Sequence, residues 1–406
     1  MCPSGVQGVT ATNVSASAWA PKEQLRAMHV CTRYQRGGSE RRVRDLIMSM
    51  PEIRHDLVVG AESDLELARA QSGASSVSAL SSLKRAIQPA SDLAAVLAVR
   101  RMLAAESYDL LITHQSKAGV VARVAAIACG AAPPIVQSLS MASFGPGYGR
   151  IESMLFRTVE RVLAHRTTAV CAVGRDVAER MSALGVPRER VHIVRSGVPL
   201  PTAFPPRPVA RRSVADRWGF PPDRPLVVYV GSLEQRKNVL SFPDFLAALA
   251  LRLPTAPVLL VVGDGPLHDE LARRMSTAGL DGQCILTGHL SEPASVLEAI
   301  LAADLMLLLS RTEGLPQVLV QAAAVGTPFV AYDVEGVREL LELGAKGDTS
   351  PLGDLDAVVE SATRRLRCDA EPRELSADLS SWATEVIRES YRTVLDGVLA
   401  HRISDG

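Results

Sequence analysis

The stretch LMLLLSRTEGLPQVLVQAAAVGTPFVAY, residues 305–332, has the pattern of a strand, a helix and a second strand. Residues 305–309 and 328–332 are short apolar runs, typical of strands buried in a parallel sheet. Between them, Pro316 suits a first helical turn and Gly326 suits a helix end. The stretch therefore predicts two parallel strands joined by a helix that covers the sheet.

The same alternation of strand and helix patterns fills most of the chain. Further apolar runs that predict strands lie at 27–32, 56–60, 109–113, 134–138, 169–173, 191–194, 226–230, 257–262 and 283–287. Residues 199–225 interrupt the alternation with eight prolines, which disfavour both helix interiors and sheets. The predicted fold class is α/β, with two facing doubly wound (Rossmann-like) domains.

These patterns divide the chain into five predicted parts. They are a disordered leader (1–24), a first domain (25–198), a proline-rich linker (199–225), a second domain (226–379), and a C-terminal helix with its tail (380–406). The apolar residues of the last helix recur at helical spacing, so this helix needs a surface to pack on. The first domain is the surface we expect.

Length, charge and cysteine content limit the function classes. The 406 residues exceed what one core usually serves, and 44 basic residues balance 44 acidic ones, which argues against a nucleic acid partner. No run of about 18 apolar residues occurs, so no membrane span is predicted. The leader lacks the features of a signal peptide. The six scattered cysteines form no CxxC pair, which favours a reducing cytoplasm and no metal site.

The loop after the first strand combines two glycines with several arginines. Gly37 and Gly38 open a predicted helix, where backbone amides and the helix dipole can hold a phosphate. The alternative is a plain tight turn in which Ser39 caps the helix. Five arginines make this end basic, namely Arg33, Arg36, Arg41, Arg42 and Arg44. They indicate attraction for an anionic acceptor or a membrane surface, or simply a solvated helix face.

Two loops of the second domain carry polar residues just after predicted strands. Gly231 is followed by Arg236 and Lys237, a pair that can clamp a diphosphate, although such pairs are also common on surfaces. In the other loop Glu313 can accept hydrogen bonds from sugar hydroxyls. The backbone amides of Gly314 and Leu315 lie free at the start of the next helix, where Gln317 and Gln321 share one face. Two glutamines on a mostly apolar helix favour a polar ligand there.

In this order, the motifs resemble those of the nucleotide-sugar-dependent glycosyltransferases of family 4, which are retaining enzymes of the GT-B fold. The resemblance covers residues 25–399. It rests on residues 37–40, 113–119, 230–233 with Lys237, 263–266, 287–290 and 313–328. No one of these motifs is diagnostic, but each lies at a predicted strand end and together they are specific.

The resemblance implies roles for the donor-binding residues. The family's first loop faces the donor diphosphate, which points to Gly37 and Gly38. Lys237 matches the lysine that holds the diphosphate, whereas Ser232 stands in place of the usual arginine and Arg236 is the expected substitute.

The sugar and nucleoside contacts follow in the same way. Glu313 matches the carboxylate that touches the donor sugar, and Gln321 stands in place of the second carboxylate, which binds the ribose. We expect the base to contact backbone near Leu290. Gly231, Gly314, Leu315 and Gln317 complete the expected donor site.

The first domain is the expected acceptor side, and here the chain departs from the family. Many members carry a histidine where Ser140 stands, and a serine supplies no titratable imidazole. His114 is a candidate for a catalytic role in the same cleft. The alternative is that it is a local hydrogen-bonding residue. Arg33 is a further acceptor-side candidate, and the glycine-rich loop 144–149 is either an acceptor flap or a flexible connection.

The resemblance thus implies a cytoplasmic retaining enzyme that moves a hexose-type sugar from a UDP- or GDP-linked donor to a hydroxyl acceptor. Such an acceptor would belong to polysaccharide, glycolipid or natural-product glycoside synthesis. No cofactor and no metal are expected, and the Asp354 to Asp356 pair is interpreted as a helix cap. A peripheral membrane contact through the basic helix of the first domain is a further expectation.

Two other function classes were weighed. Changes at Ser232, Ser140 and Gln321 motivate a degenerate protein that binds a sugar nucleotide or a partner enzyme without catalysis. A dinucleotide-dependent oxidoreductase would need Gly-x-Gly-x-x-Gly after the first strand, and the first loop lacks it.

Overall fold

The computed structural model describes residues 24–130, 132–141, 149–198, 204–367 and 379–404. The predicted leader and the predicted flap at 144–149 lie outside these residues, apart from Gln24 and Gly149. The described chain forms two α/β domains, each built around one parallel sheet. The predicted fold class is confirmed.

The first domain contains a seven-stranded sheet in the order β3-β2-β1-β4-β5-β6-β7, with every pairing parallel. Its strands are β1 (Arg26–Cys31), β2 (Arg54–Gly60), β3 (Ser76–Leu80), β4 (Leu110–His114), β5 (Ile135–Leu139), β6 (Ala169–Ala172) and β7 (Val191–Ile193). Its helices are α1 (Gly38–Ile47), α2 (Leu65–Gln71), α3 (Pro89–Ala105), α4 (Ser116–Cys129), α5 (Arg150–Ala164) and α6 (Arg175–Ala183). The sequence pattern missed β3 because this edge strand is mostly exposed and lacks a run of large apolar residues.

The second domain contains a six-stranded parallel sheet in the order β10-β9-β8-β11-β12-β13. Its strands are β8 (Leu226–Val230), β9 (Val258–Val262), β10 (Cys284–Gly288), β11 (Leu305–Leu308), β12 (Phe329–Tyr332) and β13 (Gly347–Ser350). Its helices are α7 (Arg207–Trp218), α8 (Phe242–Ala250), α9 (His268–Thr277), α10 (Pro293–Ala302), α11 (Gln317–Ala324), α12 (Val337–Glu342) and α13 (Leu355–Arg367). The pattern missed β13, an edge strand of sequence GDTS.

Helix α7 lies within residues 199–225, the segment predicted to be a proline-rich linker. Pro206 precedes the helix and Pro208 lies in its first turn, where proline costs no hydrogen bond. Arg211 of α7 donates through Nη1 to the carbonyl of Ala302 in α10, at 2.9 Å. Helix α7 therefore packs on the second domain, and the proline-rich segment is not simply an extended linker.

The last helix, α14 (Thr384–Ser404), returns to the first domain as expected. Its Ile387, Tyr391 and Leu395 lie in the same apolar cluster as Leu46 of α1 and Met50. The chain therefore crosses between the domains a second time near its end.

The order of strands determines where a ligand can bind. In each sheet the direction of winding reverses once, between β1 and β4 in the first domain and between β8 and β11 in the second. Ligands of open α/β sheets bind in the crevice at such a reversal, beyond the carboxyl ends of the strands. The loops predicted to carry Gly37, His114, Lys237 and Glu313 follow these same four strands.

Direct contacts hold the two domains together beside this crevice. One apolar cluster contains Val177 of the first domain and Leu315 of the second. The buried carboxylate of Glu339 accepts a hydrogen bond from the backbone amide of Arg175 at 3.0 Å and pairs with the guanidinium of Arg195. These apolar and charged contacts therefore fix the orientation of the two domains relative to each other.

Candidate active site

Three charged side chains predicted as catalytic lie together in the second domain. Glu313 lies in the loop after β11, and the 3-10 helix Gln235–Lys237 after β8 carries Arg236 and Lys237. Lys237 donates through Nζ to Oε1 of Glu313, and Nη1 of Arg236 lies 3.4 Å from Oε2 of Glu313. Because β8 and β11 are neighbours in the sheet, their loops meet at one edge. We call these three residues the Glu313 cluster.

Burial strengthens the ionic interactions within this cluster. Glu313 and Lys237 are buried, whereas Arg236 is partly exposed. Burial by itself raises the pKa of Glu313, but the neighbouring Lys237 and Arg236 cations outweigh it, so the pKa is lowered. Glu313 is therefore ionised at neutral pH and forms ion pairs with both cations.

Backbone contacts hold the two loops of the cluster in place. Asn238 follows Lys237 directly and has a φ of 54°, which turns the chain sharply there. The backbone amide of Arg311 donates to the carbonyl of Arg236 at 2.8 Å. The loop after β8 is thus tied to the loop after β11, which positions Arg236 and Lys237 against Glu313.

Glu234 is a site residue that the sequence analysis did not single out. One of its carboxylate oxygens lies 3.7 Å from Nε of Arg236, and the other lies 3.5 Å from Nη2 of Arg33 in the first domain. Arg33, Glu234, Arg236 and Glu313 therefore form a row of alternating charges across the cleft. Its position two residues before Arg236 was the only sequence signal for Glu234.

The predicted glycines bring the two domains into close approach. The side-chain amide of Gln317 on α11 donates to the carbonyl of Gly38 at 3.4 Å, and Gly37 has a φ of 146°, a region that favours glycine. A Cβ atom on Gly314 would lie 1.8 Å from the carbonyl oxygen of Ser140, so the approach requires glycine. The first loop and Ser140 thus contact loops of the second domain across the cleft.

The other predicted donor residues lie around the neighbouring loops. The backbone amide of Gly231 donates to Val262 at 3.0 Å, and the amide of Gly263 donates to Gly288 at 2.9 Å, which places the loops after β8, β9 and β10 side by side. Leu290 follows β10 and packs, half-buried, on the apolar cluster that contains Leu315. Gln321 lies half-buried on α11, one turn after Gln317.

The acceptor-side candidate His114 is buried in the first domain. Its Nε2 lies 3.0 Å from Nδ1 of His29, and Nε2 of His29 lies 2.9 Å from Nδ1 of His55. Nε2 of His55 lies 2.8 Å from the carbonyl of Met50, which only accepts, so donation runs from His114 through His29 and His55 to Met50. We call these three imidazoles the histidine row.

The histidine row is held uncharged by its surroundings. Burial lowers the pKa of His29 and, with a contribution from Arg42, lowers that of His114 to about 3. The row ties β1, β2 and β4 together beneath α1. His114 is thus paired within the sheet rather than with the Glu313 cluster, which agrees with the alternative of a local hydrogen-bonding residue. His29 and His55 were missed because their partners come from strands far apart in sequence.

The prediction of a continuous basic face on α1 is wrong for Arg42. Its guanidinium is buried and donates to Oγ of Ser138 at 2.9 Å and to the carbonyls of Val194 and Cys171. It also lies 5.4 Å from the ring centre of Tyr391 on α14. Arg42 therefore joins the sheet to the C-terminal helix and is not available to a ligand.

Metal and membrane features can be assessed for the described residues. Among them, no group of three or more His, Cys, Asp or Glu side chains is arranged to hold a metal ion. Asp354 accepts from the backbone amide of Ala357 at 3.0 Å, so it caps α13 as predicted. No helix in the described part of the chain has the length and apolar character needed to cross a membrane.

Comparison with known families agrees with this geometry. Residues 37–197 match the family described as glycosyl transferase 4-like domain, and residues 211–383 match the glycosyl transferases group 1. Together the two matches span most of both domains, including the loops that carry Ser140, Lys237 and Glu313. The chain belongs to the family 4-like glycosyltransferases of the GT-B fold. Its second domain is of the glycosyl transferases group 1 type.

Individual relatives show how far the likeness of this glycosyltransferase extends. It is 24% identical over 286 residues to the Escherichia coli UDP-Gal:alpha-D-GlcNAc-diphosphoundecaprenol alpha-1,3-galactosyltransferase, covering 70% of this chain and 72% of the relative. It is 29% identical over 234 residues to the alpha-D-kanosaminyltransferase of Streptomyces kanamyceticus, covering 57% of this chain and 59% of the relative. The crystal structure of Anabaena HepE with UDP and glucose aligns with a TM-score of 0.68 at 19% identity, covering 94% of this chain and 99% of that one.

Proposed function

We propose that this glycosyltransferase moves a hexose-type sugar from a UDP- or GDP-linked donor to a hydroxyl acceptor in the cytoplasm, with retention of configuration and without a metal or cofactor. The observation that carries the proposal is the Glu313 cluster at the facing edge of the domains. With the neighbouring Arg33 and Glu234, it holds three cations against two carboxylates, which leaves positive charge for a diphosphate. The E. coli relative named for a UDP-linked donor and the HepE complex with UDP and glucose support this donor class.

The donor diphosphate would lie against the cations of the cluster and the Gly37 to Gly38 turn. Arg236 and Lys237 then stabilise the charge that develops on the departing nucleoside diphosphate, a role that other enzymes give to a metal ion. The acceptor oxygen bonds to the anomeric carbon on the face from which the diphosphate leaves. The bond from that carbon to the diphosphate oxygen breaks, and the hydroxyl proton passes to the departing diphosphate. Arg33 and Ser140 border the acceptor side of this space.

The sugar and nucleoside have separate contacts in this proposal. The carboxylate of Glu313 and the amides of Gly314 and Leu315 hold the sugar, since Leu315 lies just before α11. The side chain of Gln321 faces the ribose, and backbone near Leu290 faces the base. These contacts leave the identity of the sugar to be found by screening.

The decisive experiment is release of nucleoside diphosphate, measured with a panel of UDP- and GDP-linked sugars and the purified full chain. With the donor that turns over, E313Q and K237A should each lower turnover by about 10²- to 10³-fold, the usual effect of removing one electrostatic stabiliser. Glu66, exposed on α2, supplies the matched control E66Q, which should keep full activity. Unchanged turnover in E313Q and K237A would show that this site is assigned wrongly.

The second candidate is a non-catalytic protein that binds a sugar nucleotide or a partner enzyme. Ser232, Ser140 and Gln321 favour it, because each replaces a polar residue expected from the family resemblance. Against it, the guanidinium of Arg236 points at Glu313 and so supplies the charge that Ser232 lacks. Tight calorimetric binding of a nucleotide sugar, with neither hydrolysis nor transfer, would favour this second candidate.

A further inference from the structure

Helix α5 (Arg150–Ala164) exposes a stripe of large apolar side chains to solvent. Ile151 is 81% exposed, Met154 64%, Leu155 50% and Val162 67%. Single exposed apolar residues are common on protein surfaces, but here four of them lie on one face of the same helix. Such a patch indicates a surface that is covered when the protein works.

The opposite side of α5 is firmly docked, so the apolar stripe does not result from a loose helix. Leu163 and Ala164 are buried against the first domain. Glu160 is buried as well, and both of its carboxylate oxygens accept hydrogen bonds from Nη2 of Arg123 on α4, at 2.8 and 2.7 Å. The rotation of α5 about its axis is therefore fixed, with the apolar stripe facing outward.

A line of arginines runs beside the apolar stripe. Arg150, Arg157 and Arg161 are all exposed, and spacings of seven and four residues place them along one line of the helix. An amphipathic helix with arginines flanking exposed aliphatic side chains is the form that lies in the plane of an anionic membrane surface. There the aliphatic groups enter the boundary of the acyl chains, and the guanidinium groups pair with lipid phosphates.

We propose that the exposed face of α5 docks this glycosyltransferase on an anionic lipid surface. An antiparallel two-fold pairing of two copies is disfavoured on this face, because it would bring the line of arginines from each copy together. The basic face expected on α1 is a weaker membrane surface, since Arg42 is buried there. Arginines and apolar side chains occur side by side on α5.

The position of α5 connects this surface with the active site. Helix α5 begins at the end of the first sheet where β5 ends, and Ser140, next after β5, has its carbonyl against Gly314. The N-terminal end of the docked face therefore lies at the same end of the first sheet as Ser140. We infer that the hydroxyl acceptor is carried by a membrane lipid, an inference that rests on the proposed function.

The test is flotation of the full chain with vesicles of pure phosphatidylcholine and with equimolar phosphatidylcholine and phosphatidylglycerol. The native protein should float with the anionic vesicles and lose binding as salt is raised. Binding should fall by about tenfold or more in I151E/V162E, since two exposed aliphatic groups no longer enter the bilayer. It should fall by about fivefold in R157Q, which removes one cation near the surface.

Matched controls keep this test decisive. Leu251, 89% exposed at the end of α8 in the second domain, supplies L251E, which should float like the native protein. Equal flotation of I151E/V162E and the native protein, or no flotation of the native protein with anionic vesicles, would overturn the proposal. A dimer in sedimentation that I151E/V162E abolishes, without flotation, would assign the face to a second copy instead.

The failure of this inference is distinguishable from failure of the proposed function. Donor-dependent release of nucleoside diphosphate, measured without vesicles, should be the same in I151E/V162E and the native protein, because both substituted side chains are exposed to solvent and neither belongs to the Glu313 cluster. If neither releases nucleoside diphosphate, the proposed function fails while the flotation result still decides docking. With a lipid-linked hydroxyl acceptor in vesicles, the variant should lose transfer in proportion to its lost binding.

Discussion

The two sides of the cleft are built in different ways. On the second-domain side, Glu313, Arg236 and Lys237 lie in loops that directly follow β11 and β8, and they contact one another. On the first-domain side, His114 turns into the sheet, and Ser140 approaches the other domain through its backbone carbonyl. The donor side is therefore a local charge cluster, whereas the acceptor side is defined by contacts between distant segments.

The largest effect on stability is expected from breaking the ion pair between Lys237 and Glu313 on the donor side. In K237M, the buried carboxylate of Glu313 loses its nearest cation, so the free energy of unfolding should fall by about 3 kcal/mol, the low end for a broken buried pair because Arg236 remains. Urea unfolding measures this change. The double variant K237M/E313Q should recover most of the loss, since the carboxylate is then gone. A double variant no more stable than K237M would show that the pair is not coupled as described.

Down to about pH 5, a smaller effect that depends on pH is expected from each buried histidine on the first-domain side. The pKa of these histidines is lower in the folded protein than the ordinary value of 6.5, so the unfolded chain binds protons more readily. The stability that they contribute is therefore present above about pH 6.5 and is lost as the pH falls towards about 3. The loss approaches about 1.4 kcal/mol per pH unit for each such histidine. Urea unfolding at a series of pH values should therefore give a shallower decline for H114Q than for the native protein.

A matched histidine makes the pH comparison specific to the row. His289 is exposed after β10, so H289Q should follow the native dependence on pH. If H114Q and H289Q both decline as the native protein does, the histidine row is not the source of the acid sensitivity. Donor turnover in H114Q, measured near neutral pH, also tests whether His114 takes part in transfer.

The contrast between the two sides explains how much the sequence could predict. Central strands were predictable because apolar runs such as Leu226–Val230 are buried on both faces, whereas the edge strand Gly347–Ser350 carries no such run. Glu313 and Lys237 were found because their motifs follow strands directly. The burial of Arg42 and the bonding of His114 depend on strand order and on the return of α14, which no local pattern encodes.

The smallest expected effect lies at the edge of the donor side. Gln321 stands where the family resemblance implies a carboxylate for the ribose, and a hydrogen bond to a charged acceptor exceeds one to an amide by about 1 kcal/mol. Q321E should therefore lower the KM for the nucleotide sugar about fivefold, with kcat little changed, because the ribose contact is the same in ground and transition states.

Gln317 provides the opposing substitution on the same helix. Its side-chain amide donates to the carbonyl of Gly38 across the cleft, so a carboxylate there would face an oxygen and repel it. We expect Q317E to raise the donor KM, while Q321E lowers it. If Q317E and Q321E change the donor KM equally, the added negative charge on α11 acts only through long-range electrostatics. Gln321 would then have no specific contact with the ribose.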